Sequence, residues 1–393
     1  MKILITSAID LEKSAPSRLH FFVKHLSAKH KLTIISVKDI WKEKQVQNNR
    51  GFLSSVLSKI PIYHPFNLNI NPVWQEFFSF LVVRRLLKRI KATDYDLHFN
   101  YNSLMLGYLV ACYLRKFAIK TVYDLADNLP EMTYYSPQTV WFLKPFAKIL
   151  SQFLVKKNIQ IACKVTVTCS TLRKELEIPQ QKSFLLPNGI DLDLFKKIKK
   201  TSRRKAKERK IWRIGYVGVL REWVDFEPLF IAIKRLSDRY DILLEIAGKE
   251  GDFKKISETV KRMGIEKKIK FLGFLPYEQV PLFLANLDLG ILPFRDNKIT
   301  RGAFPLKLLE YLAGGLPIIS TPLPEVKRIL GKEALYAKDS LDWQQCLETL
   351  FKNYDYYLAL SNSKSSFLSQ YNWDFIGQSL ETVFLECVKM KKI

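Results

Sequence analysis

Phe304–Pro322 reads FPLKLLEYLAGGLPIISTP, and its punctuation marks out a helix and a strand. Pro305 suits a first helical turn, where a missing N–H costs nothing. Apolar residues follow at helical spacing around one carboxylate, Glu310. Gly314-Gly315 supplies a left-handed stop, and the apolar run Pro317–Ser320 reads as a strand directly after it. Such a helix start presents unpaired N–H groups and the positive end of a dipole, which suits a phosphate. A carboxylate further along suits a pair of sugar hydroxyls. The segment is read as part of a nucleotide-sugar site.

Working outward, the same alternation of helix and strand covers the chain. In the first half, strands are expected at Lys2–Ser7, Lys31–Val37, Asp96–Asn100, Lys120–Leu125, Lys164–Cys169 and Phe184–Leu186. Between them lie helical stretches at Arg18–Lys29, Pro72–Ile90, Ser103–Phe117 and about Thr139–Asn158, with a basic, Asn-rich loop over 39–71. A second series runs through Arg213–Val219, Ile242–Gly248, Lys270–Leu275, Leu289–Pro293 and Pro317–Ser320, with a closing helix over Asn372–Lys391. Alternation of this kind implies parallel sheets covered by helices. At 393 residues the chain suits two domains rather than one. The expected fold is α/β, two Rossmann-like domains facing across a cleft. The boundaries fall at 1–187, 188–371 and a 372–393 helix that crosses back to the N-terminal domain. Ten of the 15 glycines lie between Gly215 and Gly315. Several follow strands, where an open parallel sheet binds ligands and glycine lets backbone approach them.

The formal net charge is +25, from 63 Lys and Arg against 38 Asp and Glu. Nucleic acid, anionic lipid and a polyanionic substrate each fit such a balance. Nucleic acid is set aside, because no helix-turn-helix, zinc or stacking-platform motif accompanies the charge. The densest run, Lys196–Arg213, lacks interleaved aromatics before Trp212 and reads first as a solvated linker between the halves and second as a membrane-surface contact. The five cysteines show no metal-ligand spacing. Cys163 and Cys169 bracket an alternating strand and read as buried thiols, and the odd count without a pattern fits a reducing compartment. The opening apolar run is too short for a signal-peptide core, and no segment has the length of a membrane span. These readings place the protein in the cytoplasm.

Four segments carry a family resemblance: Leu186–Phe195 (LPNGIDLDLF), Ile214–Arg221 (IGYVGVLR), Ile269–Pro276 (IKFLGFLP) and the opening Phe304–Pro322. Together they resemble the retaining GT-B glycosyltransferases of family 4, most strongly from Leu186 to Val326. The resemblance implies transfer of a sugar from a nucleoside diphosphate sugar to a glycan or lipid-linked acceptor, with retention and without a metal. It implies a hexosyltransferase acting in cell-surface polysaccharide synthesis. Glu310 aligns with the carboxylate that binds the ribose hydroxyls, and an ionised carboxylate accepts two charge-assisted hydrogen bonds from such a pair. Gly218, Gly273, Phe304, Pro305 and Leu306 complete the implied nucleotide-sugar site. A diphosphate leaving group gains charge as the bond breaks and needs cations near it. Arg221 and Lys307 are the candidates, with ion pairing of Arg221 to Glu222 or Asp225 as the plain alternative.

The departures from the family pattern are specific. Gly302 stands where relatives carry a carboxylate on the donor sugar, with Asp296 and Arg301 as the nearest substitutes. Val219 replaces the usual loop arginine. In the first half, Tyr123–Asn128 ends a strand and opens a long loop, and Asp127 is the candidate near the donor sugar, with Asp124 as a cap for the turn. His98, within an apolar strand, reads as a core residue. Ser17 and Arg18 open a helix on the acceptor side, in a loop that lacks the family's glycines.

Two basic amphipathic stretches, Trp74–Ile90 and Trp141–Lys157, carry Trp and Phe as well as Lys and Arg. Their apolar faces are expected to be core, as is usual beside a parallel sheet. Their cations make an anionic membrane surface a candidate partner, with peripheral attachment to the inner face. Two other functions fit the same residues: a nucleotide-sugar epimerase of the same fold, and a catalytically silent nucleotide- or glycan-binding protein.

Overall fold

Lys2–Ser7 (β1) and Lys31–Ser36 (β2) are buried along all but their first residue, the pattern of strands covered on both faces. In the computed structural model they belong to the first of two units, Met1–Asn188 together with Trp373–Ile393; Gly189–Asn372 form the second. The structure describes residues 1–14, 16–38, 54–66, 71–136, 139–196, 211–248 and 253–390. Most of the basic run over 196–213 and the greater part of the 39–71 loop lie outside these.

The first unit continues with Ile62–Tyr63 (β3), Leu97–Tyr101 (β4), Lys120–Leu125 (β5), Lys164–Val167 (β6) and Ser183–Leu185 (β7). All seven strands are parallel, in the order β3-β2-β1-β4-β5-β6-β7. Strand order reverses between β1 and β4, the kind of point where open sheets bind ligands. The closing helix, Trp373–Lys389, belongs to this unit. Its Trp373 stacks on Phe21 of the Arg18–Ser27 helix with centroids 4.6 Å apart. Gly377 leaves room for the His25 ring, which a Cβ there would approach to 2.4 Å.

The second unit holds Trp212–Val217 (β8), Ile242–Ala247 (β9), Ile269–Gly273 (β10), Leu289–Leu292 (β11), Ile318–Ser320 (β12) and Leu335–Tyr336 (β13). The sheet is again parallel, ordered β10-β9-β8-β11-β12-β13, and reverses between β8 and β11. Its core is one cluster running from Ile190 to Tyr371, with Trp212 stacked on Phe351 at 4.3 Å.

Several expectations need correction. The Pro72–Ile90 helix is two helices, Pro72–Phe78 and Val83–Arg89, joined by a 3-10 turn over Ser79–Leu81. The Ser79 hydroxyl donates to the Glu76 carbonyl at 2.7 Å, drawing that carbonyl away from a continuous ladder. The loop expected after Asn128 contains a helix, Leu129–Tyr135, capped by the Asn128 side chain. The Thr139–Asn158 stretch forms a helix over Lys144–Ile161, but its outer apolar residues are not core: Phe146 is 66% exposed. Cys163 is no buried thiol; it forms a disulfide with Cys387, 224 residues away, which ties the start of β6 to the closing helix. Among the described residues, no helix is long and apolar enough to cross a membrane.

Candidate functional site

The second unit gathers its glycines at the carboxyl ends of β8, β9 and β10. Gly218 follows β8 with φ of +135°, a conformation that favours glycine, and its N–H donates to the Ala247 carbonyl at 2.8 Å. A Cβ on Gly248 would lie 2.2 Å from the Gly218 carbonyl oxygen, so the two backbones touch. Gly248 in turn bridges to Gly273, whose left-handed φ of +72° faces open space. The result is a floor of bare backbone along the sheet edge.

Lys307 reaches over this floor. A Cβ on Gly218 would lie 2.3 Å from its Cε and 2.6 Å from its Nζ. The ammonium sits 5.3 Å from the Tyr216 ring centroid and 5.8 Å from that of Phe294, within cation–π range of both. The helix that carries it spans Leu306–Ala313, and Pro305 is its cap rather than part of its first turn. Pro305 has extended backbone, and its carbonyl accepts from the Leu308 N–H at 3.1 Å. Phe304 is buried and packs on Tyr371 with centroids 5.6 Å apart, fixing where the helix begins.

Tyr311 sets the rotation of this helix. Its ring covers Gly290, where a Cβ would come within 2.5 Å. Its hydroxyl lies 3.3 Å from the Ile291 carbonyl and 3.4 Å from that of Gly215, and accepts from the Val217 N–H at 3.4 Å. With Tyr311 pinned to the sheet, Lys307 one turn earlier is aimed along the same face at the strand ends. The helix closes as a Schellman motif. Leu316 N–H donates to the Tyr311 carbonyl and Gly315 N–H to that of Leu312, both at 2.9 Å, with Gly315 at φ +64°. Gly314 remains helical, so Gly315 alone supplies the left-handed stop.

Glu310 is half-buried rather than an exposed helix carboxylate. Burial raises its pKa to about 7, against the pull of Lys307. Burial likewise lowers Lys307, opposed by Glu310 and reinforced by Arg221. Tyr277 lies beside Glu310 and Asp191 and hydrogen-bonds the Asp191 backbone; burial, then Glu310, push its phenol above the usual range. The sequence reading missed Tyr277 and Asp191, although both sit in or next to the quoted motifs. Arg221 is exposed, and among the described residues no carboxylate pairs with it. Asp225, one partner considered for it, pairs with Arg295 at 3.4 Å.

Gly302 ends a short capped helix, Lys298–Arg301. Arg301 and Asp296, the nearest substitutes for a carboxylate at Gly302, pair with each other, Nη2 to Oδ2 at 2.9 Å. Hydrogen bonding from Arg301 holds Asp296 below the usual carboxylate range.

In the first unit the sheet edge gathers Ser17, Arg18 and Asp127 around Tyr101, whose phenol is pushed up by burial and by Asp124 and Asp127. Arg18 is only 2% exposed, and its guanidinium holds both Asp124 carboxylate oxygens at 3.0 Å and the Pro187 carbonyl at 2.7 Å. Arg18 is thus a brace between strand ends and not an open contact. Asp124, expected to cap a turn, instead receives Arg18 and the Thr166 hydroxyl. Ser17 caps its helix with His20, its N–H donating to Nδ1 at 3.1 Å. Burial keeps His20 near a pKa of 4, hence neutral. Asp127 is half-buried at the end of β5, with Asn102 Nδ2 donating at 3.4 Å. His98 is a core residue, held between Thr6 and Thr121.

Comparison with known proteins agrees with this geometry. Residues 197–354 match the model of the family Glycosyl transferases group 1. Anabaena HepE, solved in complex with UDP, superposes over 98% of this chain and 100% of its own, with a TM-score of 0.71 at 15% identity. The fold is GT-B. Sucrose-phosphate synthase from Thermosynechococcus elongatus shares the GT-B fold equally well, with a TM-score of 0.71 over 98% of both chains at 15% identity. Among curated proteins, the putative teichuronic acid biosynthesis glycosyltransferase TuaH of Bacillus subtilis is 23% identical over 45% of this chain and 43% of its own. An uncharacterized glycosyltransferase of Methanocaldococcus jannaschii is 24% identical over 58% of this chain and 61% of its own. The chain thus aligns with about half the length of these two relatives.

Proposed function

We propose that this protein is a glycosyltransferase that moves a hexose from a nucleoside diphosphate sugar to a glycan or lipid-linked acceptor, with retention and without a metal ion. One observation carries the reading: a single pinned helix sets Lys307 over the bare Gly218 backbone and Glu310 one turn further on. In this reading Glu310 accepts the ribose hydroxyls, and the floor of Gly218, Gly248 and Gly273 lets the nucleotide lie against backbone. Phe304, Pro305 and Leu306 frame the helix start toward the diphosphate. Lys307 and Arg221 meet the charge that grows on the departing diphosphate. A lysine held partly desolvated among aromatic rings gives that charge a stronger field than a solvated one. Among the first unit's candidates, Asp127 is the proposed catalytic residue and Ser17 the proposed acceptor-side residue, both at that unit's own sheet edge.

The matched family and the teichuronic acid relative support a role in cell-surface polysaccharide synthesis; the proposed place is the cytoplasm, peripheral on the inner face of the membrane. The UDP in HepE supports uridine as the first base to test. Calorimetric titration with UDP and GDP, followed by incubation with labelled nucleotide sugars and glycan or lipid-linked acceptors, tests the proposal. Binding of one nucleoside diphosphate and a product with the donor's anomeric configuration are expected. An inverted product refutes retention, and conversion of the donor sugar without transfer indicates an epimerase. A second reading, nucleotide binding without transfer, is favoured by Gly302, since the nearest polar side chains there are engaged with each other. It predicts binding with no turnover of any donor.

A further inference from the structure

The Lys144–Ile161 helix is apolar on two sides. Its inner side buries Leu154, Val155 and Ile159 in the first unit. Its outer side sets out Phe146, Ile149 and Phe153 at steps of three and four, one face of a helix, with Phe142 just before it in the 3-10 turn Trp141–Leu143. These residues are between 54% and 66% exposed, and Trp141 at their head is 80% exposed. A contiguous apolar side left facing water marks a surface that something else covers. A second group stands nearby on the Pro72–Phe78 helix and the turn after it, where Trp74, Phe77, Phe80 and Leu81 are also exposed. Both elements pack against the Met105–Arg115 helix.

The charge around these apolar groups is mostly positive, although Lys148 pairs with Glu131 at 2.7 Å and Lys156 with Glu177 at 3.0 Å. The Val83–Arg89 helix carries four Lys or Arg, Met105–Arg115 one and Lys144–Ile161 four. The one carboxylate on these helices and Pro72–Phe78 is Glu76, which is turned inward to accept from the Ser103 hydroxyl and the Leu106 N–H. The outer face of Lys144–Ile161 ends at Lys157 and Gln160, which line a cleft of about 550 Å³ with Arg115 and Lys116. Two such faces brought together as a dimer would oppose cation to cation. An anionic bilayer accepts both features, apolar side chains among the acyl chains and cations on the phosphates.

We propose that this face is a lipid-insertion surface. The Lys144–Ile161 helix, about 27 Å long at 1.5 Å per residue, lies in the plane of an anionic membrane. Trp141, Phe142, Phe146, Ile149 and Phe153 enter the acyl region, and the cations at its end and on Val83–Arg89 rest on lipid phosphates. The inference rests on the peripheral placement proposed above and says which surface makes it.

Co-sedimentation of the full chain with vesicles of phosphatidylglycerol and phosphatidylcholine, against phosphatidylcholine alone, tests it. Wild type binds the anionic vesicles, and 0.5 M salt weakens that binding. Phe146→Ser/Ile149→Ser/Phe153→Ser, made at exposed positions, binds them on the order of a hundredfold more weakly, with its UDP titration and melting temperature unchanged. Arg84→Gln/Arg85→Gln keeps the weak binding to neutral vesicles and loses preference for anionic ones. Equal binding by the triple variant overturns the assignment of this face while leaving peripheral attachment intact. Wild type that ignores both vesicles overturns the proposal; a wild-type dimer that the triple variant renders monomeric would then name a second copy as the occupant.

Discussion

Replacing Glu310 with Gln separates what this carboxyl does for binding from what it costs the fold. Burial raises its pKa from 4.5 to about 7. The folded state therefore holds the proton more tightly than the unfolded chain. Its stability is intact below about pH 4.5 and falls as pH rises through about 7. At ~1.36 kcal/mol per pKa unit, the full penalty at pH 8 is about 3 kcal/mol. The group is only half-buried, so solvent screening reduces this toward about 1 kcal/mol. Glu310→Gln removes the charge and keeps the shape, so the variant is more stable than wild type by about 1–3 kcal/mol at pH 8. At pH 4.5 the two are nearly equal. Urea unfolding at the two pH values measures this. Calorimetry with UDP measures the other half. Losing the carboxylate's charge-assisted bonds to the ribose weakens binding by about 1.5–3 kcal/mol, and Glu310→Ala shows the full loss. A Gln variant no more stable than wild type at pH 8 refutes the desolvated carboxylate. Unchanged UDP and GDP affinity in the Ala variant refutes the ribose role.

Four other substitutions test the frame around it. Lys307→Met keeps the stem over Gly218 and removes the ammonium; it weakens UDP but not uridine in calorimetry, and in a donor-turnover assay lowers kcat by about 10²-fold or more. Gly218→Ala places a Cβ 2.3 Å from Lys307 Cε at φ +135°, and thermal melting should report a loss of about 1–3 kcal/mol together with weakened UDP binding. Arg18→Ala leaves the buried Asp124 carboxylate unpaired and costs about 3–5 kcal/mol in urea unfolding. For Glu381, burial acts to raise the pKa, but hydrogen bonds from Lys29, His25 and His30 outweigh it and hold it near 2. That stability is present above pH 4.5 and lost as pH falls through about 2. Glu381→Gln therefore costs about 3 kcal/mol in urea at pH 7 and progressively less in acid.

Most of the parallel strands were legible because they are apolar runs, several of them bounded by Gly, Pro, Asn or Asp, as Leu289–Leu292 is by Asp288 and Pro293, and such runs stay apolar whatever packs on them. Ile62–Tyr63 and Leu335–Tyr336 were missed because two residues carry no period. The Leu129–Tyr135 helix had a readable signal, Asn128 followed by Pro130, which the loop reading passed over. The cluster at the ends of β8, β9 and β10 was legible in part because Lys307 and Glu310 lie one turn apart on a helix whose ends are marked. Contacts between distant segments were not. Nothing local in Arg18 or Asp124 announces a pair 106 residues apart, and Cys163 gives no sign of Cys387. The outer face of Lys144–Ile161 shows a different limit. Apolar spacing reveals that a helix has a face to cover and is silent on whether protein or lipid covers it.

A crystal structure with UDP bound, with GDP as a parallel soak, tests the central claim most directly. The account predicts the ribose hydroxyls within hydrogen-bond reach of the Glu310 carboxylate. It also predicts the diphosphate against the Gly218 backbone with Lys307 Nζ on its oxygens. A nucleotide bound with Glu310 and Lys307 out of reach, or bound away from the ends of β8, β9 and β10, would contradict it.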